Sequence, residues 1–288
     1  MKKQYLYAAI TIALWSTTAT VGKLLLGSLS SMQVLAASCG YAAAFLLLLC
    51  LVQGKLKLLK TYKAKDILVM SGMGMLGVFF YNLFWFIGIS RISASQAMII
   101  NYLWPMMAIL AACVILKEKL TFRKTIAALM SFAGVIIVTA NGQAAGMGNQ
   151  MLMGILFCVM AAVSYGLFVA LNKRLHYDKT ISMFVCYVVG FAVSAICVAI
   201  SGEGLKMDGM QHLGMAWLGV LTHAIGYVTW ALAMDGGETA KIANLAYITP
   251  FLSLVWNFLV LGEPLSIRCV LGLIVIVAGI FVQMKDNK

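Results

Sequence analysis

Apolar stretches long enough to cross a lipid bilayer follow one another along almost the entire chain. A membrane-spanning helix needs about 20 consecutive, mostly apolar residues. Ten such stretches are present, near residues 5–26, 33–53, 67–89, 93–116, 122–140, 151–172, 180–200, 212–234, 239–261 and 267–284. This pattern predicts an all-α membrane protein with ten transmembrane helices.

Composition supports this fold class and excludes others. Apolar residues make up 63% of the chain and the mean hydropathy is +0.98, both far outside the usage of soluble proteins. The first apolar stretch extends to Leu26, beyond the roughly 7 to 15 apolar residues of a secretory signal, so we predict an uncleaved first span. All seven cysteines fall within predicted spans and form no C-x-x-C pair. We therefore predict no metal site, no disulfide and no cofactor.

The distribution of basic residues predicts the orientation of the chain. A net charge of +12 would suggest nucleic-acid binding in a soluble protein. If the spans alternate from a cytoplasmic start, however, the outer connections contain only Arg91, Lys206 and Arg268. The cytoplasmic side then holds Lys2, Lys3, Lys55, Lys57, Lys60, Lys63, Lys65, Lys117, Lys119, Arg123, Lys124, Lys173, Arg174, Lys179, Lys241, Lys285 and Lys288. This bias predicts a multi-pass protein of the cell (cytoplasmic) membrane with both termini cytoplasmic, whose basic residues face anionic lipid and not nucleic acid.

Two charged segments about 145 residues apart resemble each other. Val114–Arg123 reads VILKEKLTFR, and Leu259–Arg268 reads LVLGEPLSIR. The same offset pairs identical residues: Tyr102 with Tyr247, Pro105 with Pro250, Leu116 with Leu261, Glu118 with Glu263, Leu120 with Leu265, Arg123 with Arg268, Gly134 with Gly279 and Trp85 with Trp230. An offset of 150 pairs Trp15 with Tyr165 and Lys23 with Lys173. The chain therefore reads as two five-helix repeats, residues 1–142 and 150–288, divided near the loop Asn141–Gln150.

The odd number of spans in each repeat has a geometric consequence. The second copy must enter the membrane from the opposite side, so the repeats are predicted to be inverted. Transporters built this way bind substrate near the midplane and alternate access by rocking one half against the other. Glu118 should then lie at the cytoplasmic face and Glu263 at the outer face. Each glutamate is interpreted either as part of a solvated or ion-paired loop or as part of a gate.

Two prolines at matched positions interrupt predicted helices. Pro105 and Pro250 each remove one backbone donor and free the carbonyl four residues earlier, at Asn101 and Ala246. Membrane helices also tolerate proline without functional consequence. Because the prolines recur in both repeats, we predict that they act as hinges or line a cavity.

Aromatic and amide side chains recur at similar depth in six predicted helices. Tryptophan and tyrosine carry polar atoms that need partners, so such a group suggests a protein-lined cavity with water or ligand. For a single member, simple helix packing is an equal alternative. The predicted substrate-binding residues are Trp15, Asn82, Trp85, Asn101, Tyr102, Trp104, Tyr165, His223, Tyr227, Trp230 and Tyr247.

His223 is the only ionisable residue near the middle of a predicted span. Such residues are candidates for proton relay, although a neutral, hydrogen-bonded histidine is an equal interpretation. No aspartate or glutamate lies in the central part of any span. A permanent cation would therefore lack a formal countercharge, which favours a neutral, zwitterionic or aromatic solute. Either His223 carries a proton or transport is uncoupled.

These features resemble the EamA family of the drug/metabolite transporter superfamily over essentially the whole chain. The resemblance rests on the ends of the fourth and ninth predicted spans, with Pro105 and Pro250 followed by the Glu118 and Glu263 segments. The stretches Leu14–Thr17, Asn101–Pro105 and Tyr247–Pro250, with Tyr227 and Trp230, are similar to YddG-type aromatic amino acid exporters. The resemblance implies a central cavity lined by Trp15, Trp104, Tyr227 and Trp230.

The function predicted from the sequence is secondary transport. We expect export of small metabolites, with aromatic or other amino acids favoured, by alternating access through an aromatic-lined cavity in a functional monomer. Export of other metabolites or amphipathic drugs and a channel-like facilitator are the alternatives. Enzyme chemistry is not expected, because paired carboxylates and H-E-x-x-H are absent and His176, His212 and His223 have no acidic partner at helical spacing.

Overall fold

The computed structural model describes residues 2–115, 117, 119–139, 148–234, 242 and 245–284. These residues form helices joined by short connections, and no strand occurs among them. Glu118, most of the predicted boundary loop Asn141–Gln150, and Leu116, Lys241, Lys285 and Lys288 lie outside the described residues. The protein is therefore all-helical where it is described, as the sequence predicts.

Among the described residues, eight helices are long and apolar enough to cross a membrane. They are α1 (Lys3–Leu25), α2 (Ser31–Val52), α3 (Ala64–Arg91), α4 (Ala94–Ile115), α5 (Phe122–Thr139), α6 (Asn149–Asn172), α7 (Lys179–Ser201) and α8 (Gly209–Met234). Two shorter apolar helices follow, α9 (Ala246–Leu261) and α10 (Ile267–Val282). The eight long helices lie at the first eight predicted stretches, whereas the last two helices are shorter, and the ninth begins at Ala246 and not near residue 239. Ten transmembrane helices therefore remain a prediction.

The chain forms two compact units, and each contains helices from both predicted repeats. The first unit comprises Met1–Phe79 and His176–Thr249, and the second comprises Phe80–Leu175 and Pro250–Lys288. The division into residues 1–142 and 150–288 is a division of the sequence, and it remains a prediction.

Small residues allow close helix packing in the first unit. There α2 packs along α7, and α1 packs along α8. A Cβ atom on Gly219 of α8 would clash with the carbonyl of Ser38 in α2, and one on Gly74 of α3 would lie 2.7 Å from the Cα of Cys186 in α7. Lipid tails are as apolar as the helix surfaces, so the hydrophobic effect does not bring helices together in a membrane. Van der Waals contact between closely packed backbones stabilises the helix pairs instead.

Glycines also set the crossing of α5 and α10 in the second unit. A Cβ on Gly272 would lie 2.6 Å from the carbonyl oxygen of Gly134, and one on Gly134 would lie 2.7 Å from that of Gly272. Gly279 approaches the carbonyl oxygen of Ala127 in the same manner, at 3.0 Å from its Cβ position. The two helices thus meet backbone to backbone at two places.

Several helices depart from regular α-geometry. Residues Met75–Phe80 of α3 and Trp217–Ile225 of α8 are π-helical. In α4 the helix stops at Asn101 and resumes at Trp104, immediately before Pro105. In α9 a short 3₁₀ turn, Ala246–Ile248, precedes the α-helical part, which contains Pro250 as its second residue. Each proline therefore follows a break in its helix and occupies the first turn, where its missing N–H costs little.

Helix α9 buries polar residues and exposes apolar ones. Ser253 and Asn257, four residues apart on one face, are fully buried, whereas Phe258, Leu259 and Val260 are 48% to 65% exposed. This is the inverse of a water-soluble helix. It is the pattern expected when the outward face of the helix contacts lipid. Asn257 donates to the Ser95 hydroxyl, whereas Ser253 Oγ has no hydrogen-bond partner among the described residues.

Candidate functional site

Three predicted aromatic residues meet in the first unit. The ring of Trp15 lies 5.4 Å from that of Tyr227, edge to face, and 5.6 Å from that of Trp230. All three side chains are only half-buried. We call Trp15, Tyr227 and Trp230 the first aromatic cluster. Its exposed ring surface is available for stacking with a flat solute.

Local structure fixes the position of Trp15. Its Nε1–H donates to the carbonyl of Thr222, 3.0 Å away, within the π-helical part of α8. A Cβ on Gly226 would lie 2.6 Å from that nitrogen, so glycine is required for the indole to approach. One turn away, the hydroxyls of Thr11 and Thr229 hydrogen bond at 2.7 Å and tie α1 to α8. The indole N–H is thus satisfied by a backbone carbonyl of the protein, which fixes the position of the ring.

A second aromatic cluster surrounds Tyr165 in the second unit. The Tyr165 ring lies 4.8 Å from that of Tyr81, 5.2 Å from that of Trp104 and 5.7 Å from that of Phe168. Asn101 donates its amide to the Tyr81 hydroxyl at 3.2 Å. Tyr81 and Phe168 are not among the residues predicted from the sequence. Tyr81 stands one helical turn before Trp85, a spacing that could have revealed it.

Two predicted residues in the second unit carry buried polar atoms without a protein partner. These are Asn101 Oδ1 and Trp85 Nε1, and neither has a hydrogen-bond partner among the described residues. Asn101 is 5% exposed and Trp85 is 2% exposed. An unpaired buried polar atom costs about 1 to 3 kcal/mol. A ligand or water that satisfied Asn101 Oδ1 would remove that cost beside the second aromatic cluster.

The remaining predicted residues are placed differently. Asn82 and Tyr102 are almost fully enclosed, like Trp85, and so pack inside the protein. Tyr247 lies in the 3₁₀ turn that begins α9 and is half-buried.

His223 lies in the π-helical part of α8 and stacks on a tyrosine. Its ring is 5.6 Å from that of Tyr187 in α7, with the planes 25° apart. The side chain is 6% exposed, and Nδ1 has no hydrogen-bond partner in the described part of the chain. A buried imidazole with a vacant nitrogen has the chemistry of a proton acceptor or of a ligand for a solute N–H.

Glu263 binds the beginning of α4. Its carboxylate accepts hydrogen bonds from the backbone N–H groups of Ala94 and Ser95, at 2.6 and 2.9 Å, and from the Ser95 hydroxyl at 2.7 Å. The buried Asn257 donates to the same hydroxyl at 3.2 Å. Glu263 follows Gly262, whose left-handed backbone (φ 67°) turns the chain out of α9.

Metal chemistry has no support in the described residues. No group of three or more histidine, cysteine, aspartate or glutamate side chains there is arranged to hold a metal ion. The seven cysteines all lie in the described part of the chain, and none forms a disulfide there.

Comparison with known proteins agrees with this architecture. The model of the EamA-like transporter family matches residues 2–140 and 152–284. An uncharacterized transporter of Clostridium kluyveri is 26% identical over 298 residues, covering 100% of this chain and 95% of that protein. The aromatic amino acid exporter YddG of Ancylobacter novellus is 26% identical over 203 residues, covering 69% of this chain and 71% of that protein.

A solved structure shares the fold. Its crystal structure superimposes with a TM-score of 0.69 at 22% identity and covers 98% of this chain and 96% of that chain. The apolar helices and these relatives indicate a multi-pass membrane protein with a transport role. The family model matches almost the whole sequence, and the chain therefore belongs to the EamA-like transporter family.

Proposed function

We propose that the protein is a secondary transporter of the cytoplasmic membrane that exports small metabolites, with aromatic or other amino acids favoured, by alternating access through an aromatic-lined site. The observation that carries this proposal is the pair of aromatic clusters, each centred on a half-buried ring, Trp15 in one and Tyr165 in the other. The two central residues occupy matched positions of the sequence repeat. Export by the related YddG protein of Ancylobacter novellus supports the substrate class.

The proposal includes ten transmembrane helices in two inverted repeats with both termini cytoplasmic. Departures from regular helix geometry recur 145 residues apart, which supports the repeat. The π-helical segment Met75–Phe80 corresponds to the last six residues of Trp217–Ile225. Lys117, with φ 55°, corresponds to Gly262, with φ 67°. A left-handed non-glycine residue is uncommon, so its match to a left-handed glycine is specific.

Reciprocal contacts between α5 and α10 also support the repeat. Moving by 145 residues along the chain takes Gly134 to Gly279 and Gly272 to Ala127. The contact of Gly134 with Gly272 and the contact of Gly279 with Ala127 are both present. A contact set that maps onto itself in this way is the property of an interface around a twofold axis. The two segments matched by the family model, 2–140 and 152–284, coincide with the two copies.

The chemistry of the clusters favours a solute without net charge. Their members are aromatic rings, and the polar atoms beside them belong to an amide, hydroxyls and a backbone carbonyl. Ring stacking contributes about 0.5 to 1.5 kcal/mol for each favourable pair. Each cluster by itself therefore suits a flat or zwitterionic molecule. Many of the relatives are uncharacterized transporters, which keeps export of other metabolites or amphipathic drugs, or channel-like flux, as the alternative.

Transport in proteoliposomes tests the proposal. Vesicles loaded with tryptophan, tyrosine or phenylalanine should show saturable efflux and counterflow, which a channel would not show. Trp15→Ala removes the central ring of the first aromatic cluster, and we expect at least a tenfold fall in transport, the effect of losing about 1.4 kcal/mol. Trp256→Ala, on the 40% exposed face of α9, should leave transport near wild type. If no aromatic amino acid moves or competes while another solute does, the substrate assignment is wrong.

A second experiment concerns His223 alone. We expect His223→Gln to abolish any response of transport to an imposed pH gradient, because glutamine can hydrogen bond but cannot carry the proton. Efflux is measured with the gradient in each direction and with none. A gradient response that persists in the variant would exclude His223 as the proton carrier. The variant Tyr187→Phe keeps the stacking ring and should retain the response.

A further inference from the structure

Lysines crowd the connection between α2 and α3. We call Lys55–Lys65 the lysine segment; it follows the end of α2 at Val52 and reaches the first turn of α3 at Ala64. Because both helices cross the membrane in the proposed topology, the segment lies at the bilayer surface. The side chains of Lys57, Lys60, Lys63 and Lys65 are exposed.

The segment has a defined and amphipathic conformation. Gly54, with φ 64°, turns the chain, and Lys55–Lys60 form a 3₁₀ helix of sequence KLKLLK. Side chains three residues apart eclipse in such a helix, so Lys57 and Lys60 project from one face. The intervening leucines are partly buried. Leu56 and Leu59 share another face, and a helix with cationic and apolar faces is the pattern of one that lies in the membrane interface.

The nearby carboxylates are already occupied. Asp178 forms an ion pair with Lys55 at 2.9 Å and accepts the backbone N–H groups of Thr180 and Ile181 at the start of α7. Partial burial acts to raise the pKa of Asp178, but the Lys55 hydrogen bond and the backbone N–H groups lower it below its ordinary value, so Asp178 is ionised at neutral pH. Asp66 accepts the Tyr177 hydroxyl at 3.1 Å and the backbone N–H of Lys63 at 2.9 Å.

Packing also anchors the segment to α7. Tyr62 and Tyr177 meet edge to face with ring centroids 5.5 Å apart, and the Tyr62 hydroxyl accepts the backbone N–H of Asp178 at 3.1 Å. Lys55 reaches the Thr180 hydroxyl at 3.2 Å. The four exposed lysines have no ion pair among the described residues. The backbone that carries these lysines is therefore anchored, and no carboxylate in the described structure forms an ion pair with them.

We propose that the lysine segment is a binding surface for the headgroups of anionic phospholipids. At the membrane surface the phosphate of such a lipid supplies the missing countercharge, and its acyl chains can contact Leu56, Leu58 and Leu59. Each lysine near an anionic membrane adds to the electrostatic attraction for that membrane. Four lysines on an anchored segment are enough to select anionic over zwitterionic lipid. The proposal does not depend on which solute is transported.

Lipid enrichment around the purified full-length protein tests this surface. In detergent micelles, energy transfer from protein tryptophans to dansyl-phosphatidylglycerol is compared with transfer to dansyl-phosphatidylcholine. We expect several-fold preference for phosphatidylglycerol in the wild type, reduced at least fivefold when Lys57, Lys60, Lys63 and Lys65 are all changed to glutamine. Changing all four to arginine should preserve the preference. Millimolar inorganic phosphate should not compete, because a free anion lacks the acyl chains.

A charge-matched control separates this surface from net charge. Changing Lys119, Lys173, Lys206 and Arg268 to glutamine removes the same total charge from other exposed positions. The control should keep the lipid preference, and all variants should keep the wild-type melting temperature because the substituted side chains are exposed. Equal loss in the control and the test variant, or full preference in the test variant, would overturn the proposal. Neither result would bear on transport measured in the same preparations.

Discussion

Replacing Gly272 with valine should lower the free energy of unfolding by about 3 kcal/mol or more and prevent normal accumulation of the protein. A Cβ at this position overlaps a methyl group of Val138 and lies 2.6 Å from the carbonyl oxygen of Gly134. Backbone atoms cannot move aside as a flexible side chain can, so α5 and α10 would have to separate. Dispersion contacts are lost steeply with separation, and the whole helix pair would be weakened.

A second glycine provides the control. Gly72 lies within α3, is exposed, and has nothing within 4 Å of its Cβ position. Gly72→Val makes the same chemical change in a helix without a packing clash, so we expect it to stay within about 0.5 kcal/mol of wild type. Thermal unfolding in detergent, followed by thiol labelling of the buried cysteines, measures both. Similar melting of Gly272→Val and wild type would show that α5 and α10 do not depend on this contact.

Removing the Glu263 carboxylate should cost about 2 to 4 kcal/mol. Glu263→Ala leaves the N–H groups of Ala94 and Ser95 without their acceptor at the start of α4. Glu263→Gln should cost less than Glu263→Ala, because its carbonyl oxygen can still accept from one backbone N–H while its NH₂ group faces the other donor. Ser95→Ala removes one hydroxyl and keeps both backbone hydrogen bonds, so it should cost about 1 kcal/mol.

Glu203 is a suitable comparison for this experiment. It also accepts a hydrogen bond from a serine, Ser30, but it is exposed, and water can replace the interaction. We expect Glu203→Ala to change stability by less than about 0.5 kcal/mol. The measurement is the melting temperature together with protease sensitivity near residue 93. If Glu263→Ala and Glu203→Ala behave alike, Glu263 is a solvated loop residue, as one interpretation of the sequence had it.

Hydropathy was sufficient to locate the helices but not their irregularities. An apolar stretch such as 67–89 predicts α3, because about 20 consecutive apolar residues are enough for a helix to cross the hydrocarbon core. The π-helical turn Met75–Phe80 within it leaves no comparable pattern in composition. In a π turn the backbone hydrogen bonds join residues five apart and not four. The place where this happens depends on contacts with neighbouring helices, which are distant in the sequence.

The dependence on distant contacts also explains which site residues the sequence predicts and which it does not. Trp15, Tyr227 and Trp230 were identified because large aromatic side chains with polar atoms are conspicuous in the interior of a span. Phe168 lacks a polar atom and reads as ordinary packing, yet it contacts Tyr165. Glu263 was located as a repeated motif, but its partners are 168 and 169 residues away, so its role as a helix cap could not be read locally.

The two π-helical segments change the effect of deleting a single residue from α3 or α8. Removing one residue from a regular α-helix rotates every later side chain by about 100° and moves the packing face away from its neighbours. A π turn holds one residue more than an α turn, since its hydrogen bonds join residues five apart. Loss of one residue from Met75–Phe80 would convert that turn to α-geometry and leave the flanking faces where they are. These segments are therefore the points at which α3 and α8 can shorten without losing their phase.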